Sequence, residues 1–453
     1  MTAEEKRAEI FESMPVRRAV CKQIIPAIAS QMIALIYNMA DTYFVGMMND
    51  PNQTAAVTVV ASAFLMMTAL SNLFGVGGAS LIAGALGQKN PNRAKEISAV
   101  SFYGGFAGAV LFSLLFFMFA SPILYLCGAT DSTFEAAFGY AQLVIVFGGC
   151  ATILNMLLAS LLRAEGSAAH AFIGVSLGGI ANIIMDPLFI LPQFLGYGAA
   201  GAGIATALGN LISTLYFLGY IAFKRRTTVI SLHIRNLKFT CRHIRNIMAI
   251  GLPSAVQYAL TVAAVSLLLN FVSRYATEAV AGLGIVRKLD LLPLYFSIGV
   301  SNGLLPLLAY NHAANNHQRR HEAFVFGCLV SLGFSLLCLI VYEAFAPYLI
   351  GLFIKDSATI AYGTVFLRIM VTAMPMMSLC YPMIVQFQAL GKARESLICS
   401  VLRKGVLDVP LLFILNGLIP LYGCLMVQPI VDTIAFIVAL VLYKRLNRSI
   451  DRN

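Results

Sequence analysis

Twelve apolar stretches of about 20 residues or more decide what this chain can become, because that length of helix spans a hydrocarbon core of roughly 30 Å. They run over residues 22–47, 55–85, 97–120, 133–162, 168–191, 199–223, 246–272, 279–309, 322–347, 359–389, 395–416 and 420–443. Only 11% of the 453 residues are charged and 59% are apolar, whereas a soluble domain carries about a quarter charged residues. An all-α integral membrane protein with twelve transmembrane helices is therefore expected. In lipid every backbone polar group must be satisfied within its own segment, which a helix does.

The connections between the stretches set the orientation. Lys89, Arg93 and Lys95, then Arg163, then Lys224 to Arg245, then Arg319 and Arg320, then Lys392 and Arg394, and last Lys444, Arg445 and Arg448 all fall on one side. Loops on the other side, at 49–54, 121–132, 192–198 and 416–420, hold no Lys or Arg, and only Arg274 and Lys355 break the pattern elsewhere. By the positive-inside rule the basic side is expected in the cytoplasm, with both termini there. The same clustering accounts for the net charge of +11 without a nucleic-acid partner. The charged start at Glu4 to Glu9 reads as a cytoplasmic arm and not as a signal peptide. The nine cysteines show neither CxxC nor zinc spacing and are expected to pack between helices.

The chain also repeats itself at a spacing of about 225 residues. IIPAIASQ (24–31) matches GLPSAVQ (251–257), RAEGSA (163–168) matches QALGKA (388–393), and DPLFIL (186–191) matches VPLLFIL (409–415). Two pseudo-symmetric six-helix bundles are expected: residues 1–223, a basic linker at 224–245, and residues 246–453. Six crossings per half make the repeats parallel, a plan typical of secondary transporters.

An ionised carboxylate inside the bilayer costs several kcal/mol unless paired, protonated or bound to a cation. Asp41, in NMADTYF, and Asp186, in NIIMDPLF, are such acids and lie at similar depth near the outer ends of helices one and five. Asn182 sits one turn from Asp186. Thr206 on helix six and Tyr140 on helix four reach the same level. Two carboxylates there are expected to take up a proton or share a hard cation such as Na⁺; the alternative is that they only accept hydrogen bonds from neighbouring helices, beside the bend at Pro187.

With Pro26 before Asp41, the RAEG turn at 163–166, the N-x3-D-P run at 182–187 and GAAGAGIAT at 198–206, the chain resembles the MATE (multidrug and toxic compound extrusion) family over nearly its whole length. That resemblance implies a bacterial plasma-membrane antiporter with two six-helix lobes around a cleft, exporting amphipathic, mostly cationic compounds in exchange for H⁺ or Na⁺. It implies a cation site at Asp41, Asn182, Asp186 and Thr206, with Tyr140 beside them. Branches that place the site in the second lobe have acids there, whereas helix seven here offers Gln257, which favours coupling in the first lobe.

The second half holds Arg287, Lys288, Asp290, Arg368, Arg403, Lys404, Asp408 and Asp432 within its helices. Internal ion pairs are one explanation; contact with an anionic group on the substrate is the other. Candidate cleft residues are Gln257, Arg287, Tyr295, Met374 and Arg403, with Met370, Met374, Met376, Met377 and Met383 offering pliable contacts or ordinary core. His317 and His321 lack an acid partner for a metal. No GxxxxGK[ST], HExxH or GxSxG occurs, so neither an ATP motor nor an enzyme is expected, and no cofactor beyond the coupling ion. A monomer in the bilayer acting on a small molecule is the expected working unit. The alternatives are a lipid-linked-sugar flippase and an exporter of one anionic metabolite.

Overall fold

The computed structural model describes residues 3–48, 50–237 and 241–450, so Asn49 of the loop expected outside, residues 238–240 of the expected linker and the last three residues lie outside it. Among the described residues nine helices are each long and apolar enough to cross a membrane, and two further bent pairs pass the same test. The unbroken crossings are Val16–Gly46, Pro51–Gly87, Pro91–Met118, Ala168–Ile190, Gly198–Phe223, Cys241–Val272, Thr277–Ala313, His317–Gly351 and Tyr422–Ile450. The fourth crossing bends by 53° between Asp131–Phe147 and Gly149–Ala164, and the tenth by 44° between Ser357–Val371 and Met374–Ala389.

The eleventh crossing, expected as one helix over 395–416, comes in three pieces. Ala393–Val401 is α-helical, Leu402–Val406 is a π-helical turn, and Asp408–Leu418 resumes the α-helix. The break falls on Arg403, Lys404 and Gly405, of which only the glycine has weak helix propensity.

The duplication is written into the turns. Lys89 and Asn315, at equivalent helix ends, both take left-handed backbone, with φ of 55° and 57°. Each is followed by a capping asparagine. Asn90 accepts from the Arg93 amide at 3.0 Å and Asn316 from that of Arg319 at 3.2 Å, so two helices start the same way. Gly166 and Gly391, in the matched RAEG and ALGK turns, likewise have φ of 90° and 69°, a conformation that favours glycine.

The two halves meet at the basic end. There one core joins Ile24 and Val76 of the first half to Ile247, Leu304 and Phe387 of the second. Glycines set the approach: a Cβ on Gly251 would strike the Leu73 carbonyl and one on Gly77 that of Ile247. Ser80 donates to the Gln388 carbonyl at 2.9 Å, adding a polar stitch. The arm before the first crossing closes over this seal. Phe11, 0% exposed, stacks on Tyr310 at 4.8 Å, and Arg319 Nε donates to the Phe11 carbonyl at 2.7 Å. Toward the other end the halves keep separate cores, one around Met67, Phe116 and Ile145, the other around Leu283, Phe366 and Leu425. The cleft between them is therefore closed at the basic end.

Candidate functional site

Asp41 lies on the first crossing one turn before its end, Asn182 and Asp186 one turn apart on the fifth, and Thr206 on the sixth. All four side chains are at most 4% exposed. The Asn182 amide nitrogen is 3.3 Å from Asp41 Oδ1, 3.3 Å from Asp186 Oδ1 and 3.4 Å from Thr206 Oγ1. Thr206 Oγ1 donates to Asp41 Oδ2 at 3.1 Å. Tyr140, on the fourth crossing, lies beside Thr206, and the two carboxyl groups are neighbours. All five residues expected at one level are thus brought together.

An amide nitrogen carries two hydrogens and cannot satisfy three oxygens at once. Asn182 Oδ1 and Asp186 Oδ2 have no hydrogen-bond partner, although buried polar atoms are as a rule bonded. Turning the Asn182 amide over would present its oxygen beside those of Asp41, Asp186 and Thr206. That oxygen set suits a hard cation, and a proton held between the carboxyls would satisfy the same pair.

Close helix packing makes the convergence possible. Gly178 on the fifth crossing faces Ser213 and the Gly209 carbonyl on the sixth, where any side chain would collide. Gly179 meets Ile33 and Tyr37 of the first crossing in the same way, which brings Asp41 to Asn182. Three residues that sequence reasoning passed over belong to this neighbourhood. Tyr37 is one turn before Asp41 and 9% exposed. Asn210 donates to the Thr206 carbonyl at 3.0 Å, and Asn155 donates to Asn210 at 2.8 Å, carrying the polar network deeper. A polar residue inside an apolar run, as in TILNMLL and ALGNLI, is the signal that would have found both asparagines.

The candidate cleft residues of the second half divide. Tyr295 and Arg287 are half-buried. Tyr295 sits near Tyr37, Tyr258 and Tyr381, so hydroxyl-bearing rings from both halves face one region. Gln257 is 7% exposed and accepts from Ser400 Oγ at 3.5 Å. Met374 and Arg403 are not at the cleft surface. Met374 is 1% exposed, in the second half's own core away from the basic end. Arg403, also 1% exposed, pairs through Nε with Asp432 Oδ1 at 2.6 Å and lies 4.5 Å over the Tyr381 ring. Lys404 and Asp408 form a looser pair at 3.8 Å. His321 bonds Tyr443 at 2.9 Å, and the described residues include no cluster of three or more His, Cys, Asp or Glu fit for a metal.

The MatE family model matches this chain twice, over residues 26–188 and 253–414. The chain belongs to the MatE family. Each match of this MATE protein opens on a helix proline, Pro26 or Pro253, and the first takes in Asp41, Tyr140, Asn182 and Asp186. Among characterised relatives it is 28% identical over 434 residues to the multidrug export protein MepA of Staphylococcus aureus (strain MRSA252), covering 95% of this chain and 94% of that one. The MepA of Staphylococcus saprophyticus is 27% identical over 433 residues, with the same coverage. In fold it matches an outward-facing structure of a multidrug resistance MATE family transporter of the MOP superfamily, with a TM-score of 0.91 at 22% identity over 99% of both chains. A MOP superfamily transporter from Pyrococcus furiosus matches equally, at 0.91 and 23% identity. This MATE protein is thus an all-α, multi-pass membrane protein built on the transporter fold, as its sequence led us to expect.

Proposed function

We propose that this protein is a multidrug efflux antiporter of a bacterial plasma membrane, its basic end and both termini in the cytoplasm, exporting amphipathic, mostly cationic compounds in exchange for H⁺ or Na⁺. The observation that carries the proposal is the pair of buried carboxylates sharing one amide, Asp41 and Asp186 about Asn182, with two oxygens left unpartnered. A fully satisfied structural network would leave none.

The protein's residues suggest how ion binding reaches the cleft. Asp41 and Tyr37 share one face of the first crossing, so neutralising the carboxylates and drawing the first, fifth and sixth crossings together shifts a ring on the cleft wall. Tyr37, Tyr258, Tyr295 and Tyr381 offer faces to an organic cation, a contact worth about 0.5–2 kcal/mol each. The halves, residues 1–223 and 246–453, then rock about the glycine-packed seal, working as a monomer. One charge moved down a gradient of about 100 mV supplies about 2.3 kcal/mol. The match to multidrug export proteins over 95% of the chain supports the substrate class.

The test is efflux from proteoliposomes with a proton or a sodium gradient imposed separately. Asp41→Asn and Asp186→Asn are expected to abolish ion-driven efflux of a cationic dye while the variants remain monodisperse and still bind it. Full gradient-driven efflux in both variants would remove the carboxylates from the coupling step.

A further inference from the structure

A second polar site, away from the carboxylates, lies inside the second half. A cavity of about 40 Å³ opens between the seventh, eighth, eleventh and twelfth crossings, room for roughly three waters. Its polar wall is Arg287, Lys404, Asp408 and Gln428, and its apolar wall includes Leu268 and Val427. Arg287 and Lys404 share the cavity with Asp408, and Asp290 is a further charged neighbour of both cations.

Asp408 is engaged by Lys404 at 3.8 Å, and Asp290, one turn from Arg287 on the eighth crossing, keeps its Oδ1 without a hydrogen-bond partner. Arg403, next to Lys404, is committed to Asp432. Arg403 and Lys404 both lie on the π-helical turn Leu402–Val406. Arg287 is left with Asp290 and Asp408 as charged neighbours but with no ion pair or hydrogen bond to either. A guanidinium that deep is costly without a partner, and its planar fork matches a carboxylate or phosphate in two parallel bonds.

We propose that this cavity is a head-group subsite that takes the carboxylate or phosphate of an amphipathic substrate on Arg287, with the apolar body of the substrate lying in the cleft. The volume fits the anionic group alone, and the aliphatic wall accepts the first carbons behind it. This rests on the drug-export function proposed above and gives the anionic group of such a substrate a place in the second half. The site and the cation site sit in different halves, so substrate anion and coupling ion do not compete for the same oxygens.

The experiment uses two dyes with the same body, rhodamine 6G, a cationic ethyl ester, and its zwitterionic free acid, rhodamine 19. Binding of each is measured by fluorescence anisotropy on the full-length protein in nanodiscs of phosphatidylcholine. The readout is the ratio of acid to ester affinity. Arg287→Gln is expected to lower that ratio about tenfold, the worth of a charged hydrogen bond, and Arg287→Lys to lower it less. A merely structural role would weaken both dyes together and leave the ratio unchanged, which would overturn the subsite while the export function stands. If wild-type protein binds neither dye, the export function falls and the subsite with it. Repeating the titration in a phospholipid-free non-ionic detergent separates the sources of the anion: a rise in acid affinity there that Arg287→Gln does not show would mean that a lipid phosphate occupies Arg287, and would overturn the substrate assignment.

Discussion

Thr206 Oγ1 donates to Asp41 Oδ2 across 3.1 Å, joining residues 165 positions apart inside the first half. The bond is charge-assisted when Asp41 is ionised, and such a bond contributes about 1.5–3 kcal/mol. Thr206→Val keeps the shape and removes the oxygen. The half-saturating concentration of the coupling ion in proteoliposome efflux is expected to rise roughly tenfold, with the maximal rate largely kept. An unchanged saturation curve would show that Thr206 is not part of the ion site.

Gly251 packs against the Leu73 carbonyl so closely that no side chain fits. Because the obstacle is backbone, Gly251→Val must push the halves apart at the basic end, at a cost of about 1–3 kcal/mol to the closed seal. Hydrogen exchange followed by mass spectrometry should show faster exchange at residues 72–80 and 247–254, with the outer cores unaffected. Uniform loss of protection would instead indicate global unfolding.

The Arg403–Asp432 pair, both side chains 1% exposed, predicts an asymmetric mutational outcome. Asp432→Asn leaves a buried guanidinium without its counter-charge and should cost about 3–5 kcal/mol, whereas replacing both partners with apolar residues is close to neutral. Thermal unfolding in detergent is expected to rank wild type and the Arg403→Met, Asp432→Leu double variant together, well above Asp432→Asn. A double variant as weak as the single one would mean that the pair contributes net stability.

Glu165, in the turn after the fourth crossing, accepts from Thr228 Oγ1 at 2.6 Å, the Val229 amide at 3.0 Å and Ser167 at 3.1 Å, tying the basic loop to the first half. Burial is the largest influence on its carboxyl and holds it above the ordinary carboxylate range despite these donors. The folded state therefore keeps this proton to higher pH than the unfolded chain, and stability from this group is lost as pH rises through the folded value. Glu165→Gln should remove that decline from a melting-temperature profile taken between pH 4 and 8 (about the range a shifted carboxyl spans). A decline of equal depth in the variant would assign it to other groups.

The meeting of the candidate ion-site residues was largely legible in the sequence, because depth in a membrane can be counted along a helix. At about 1.5 Å per residue, Asp41, Asp186, Thr206 and Tyr140 had to fall at one level, and they do. Direction around the helix axis was less accessible. Met374 is sequestered in a core and Arg403 in an ion pair, since either side chain could have turned to the cleft at the same depth. Asn155 and Asn210 escaped notice for the converse reason, because each is a lone amide that acquires meaning only from the other.

By itself the sequence determined the membrane class, most of the crossings, the clustering of basic residues, the duplication and the acids, since hydrocarbon thickness and the cost of bare charge act on any chain alike. Only the tertiary structure decided which polar groups meet. It broke the eleventh crossing at Arg403 and Lys404, closed the cleft at the basic end and left Arg287 facing a cavity. Those outcomes depend on how helices far apart in sequence pack, which local composition does not encode.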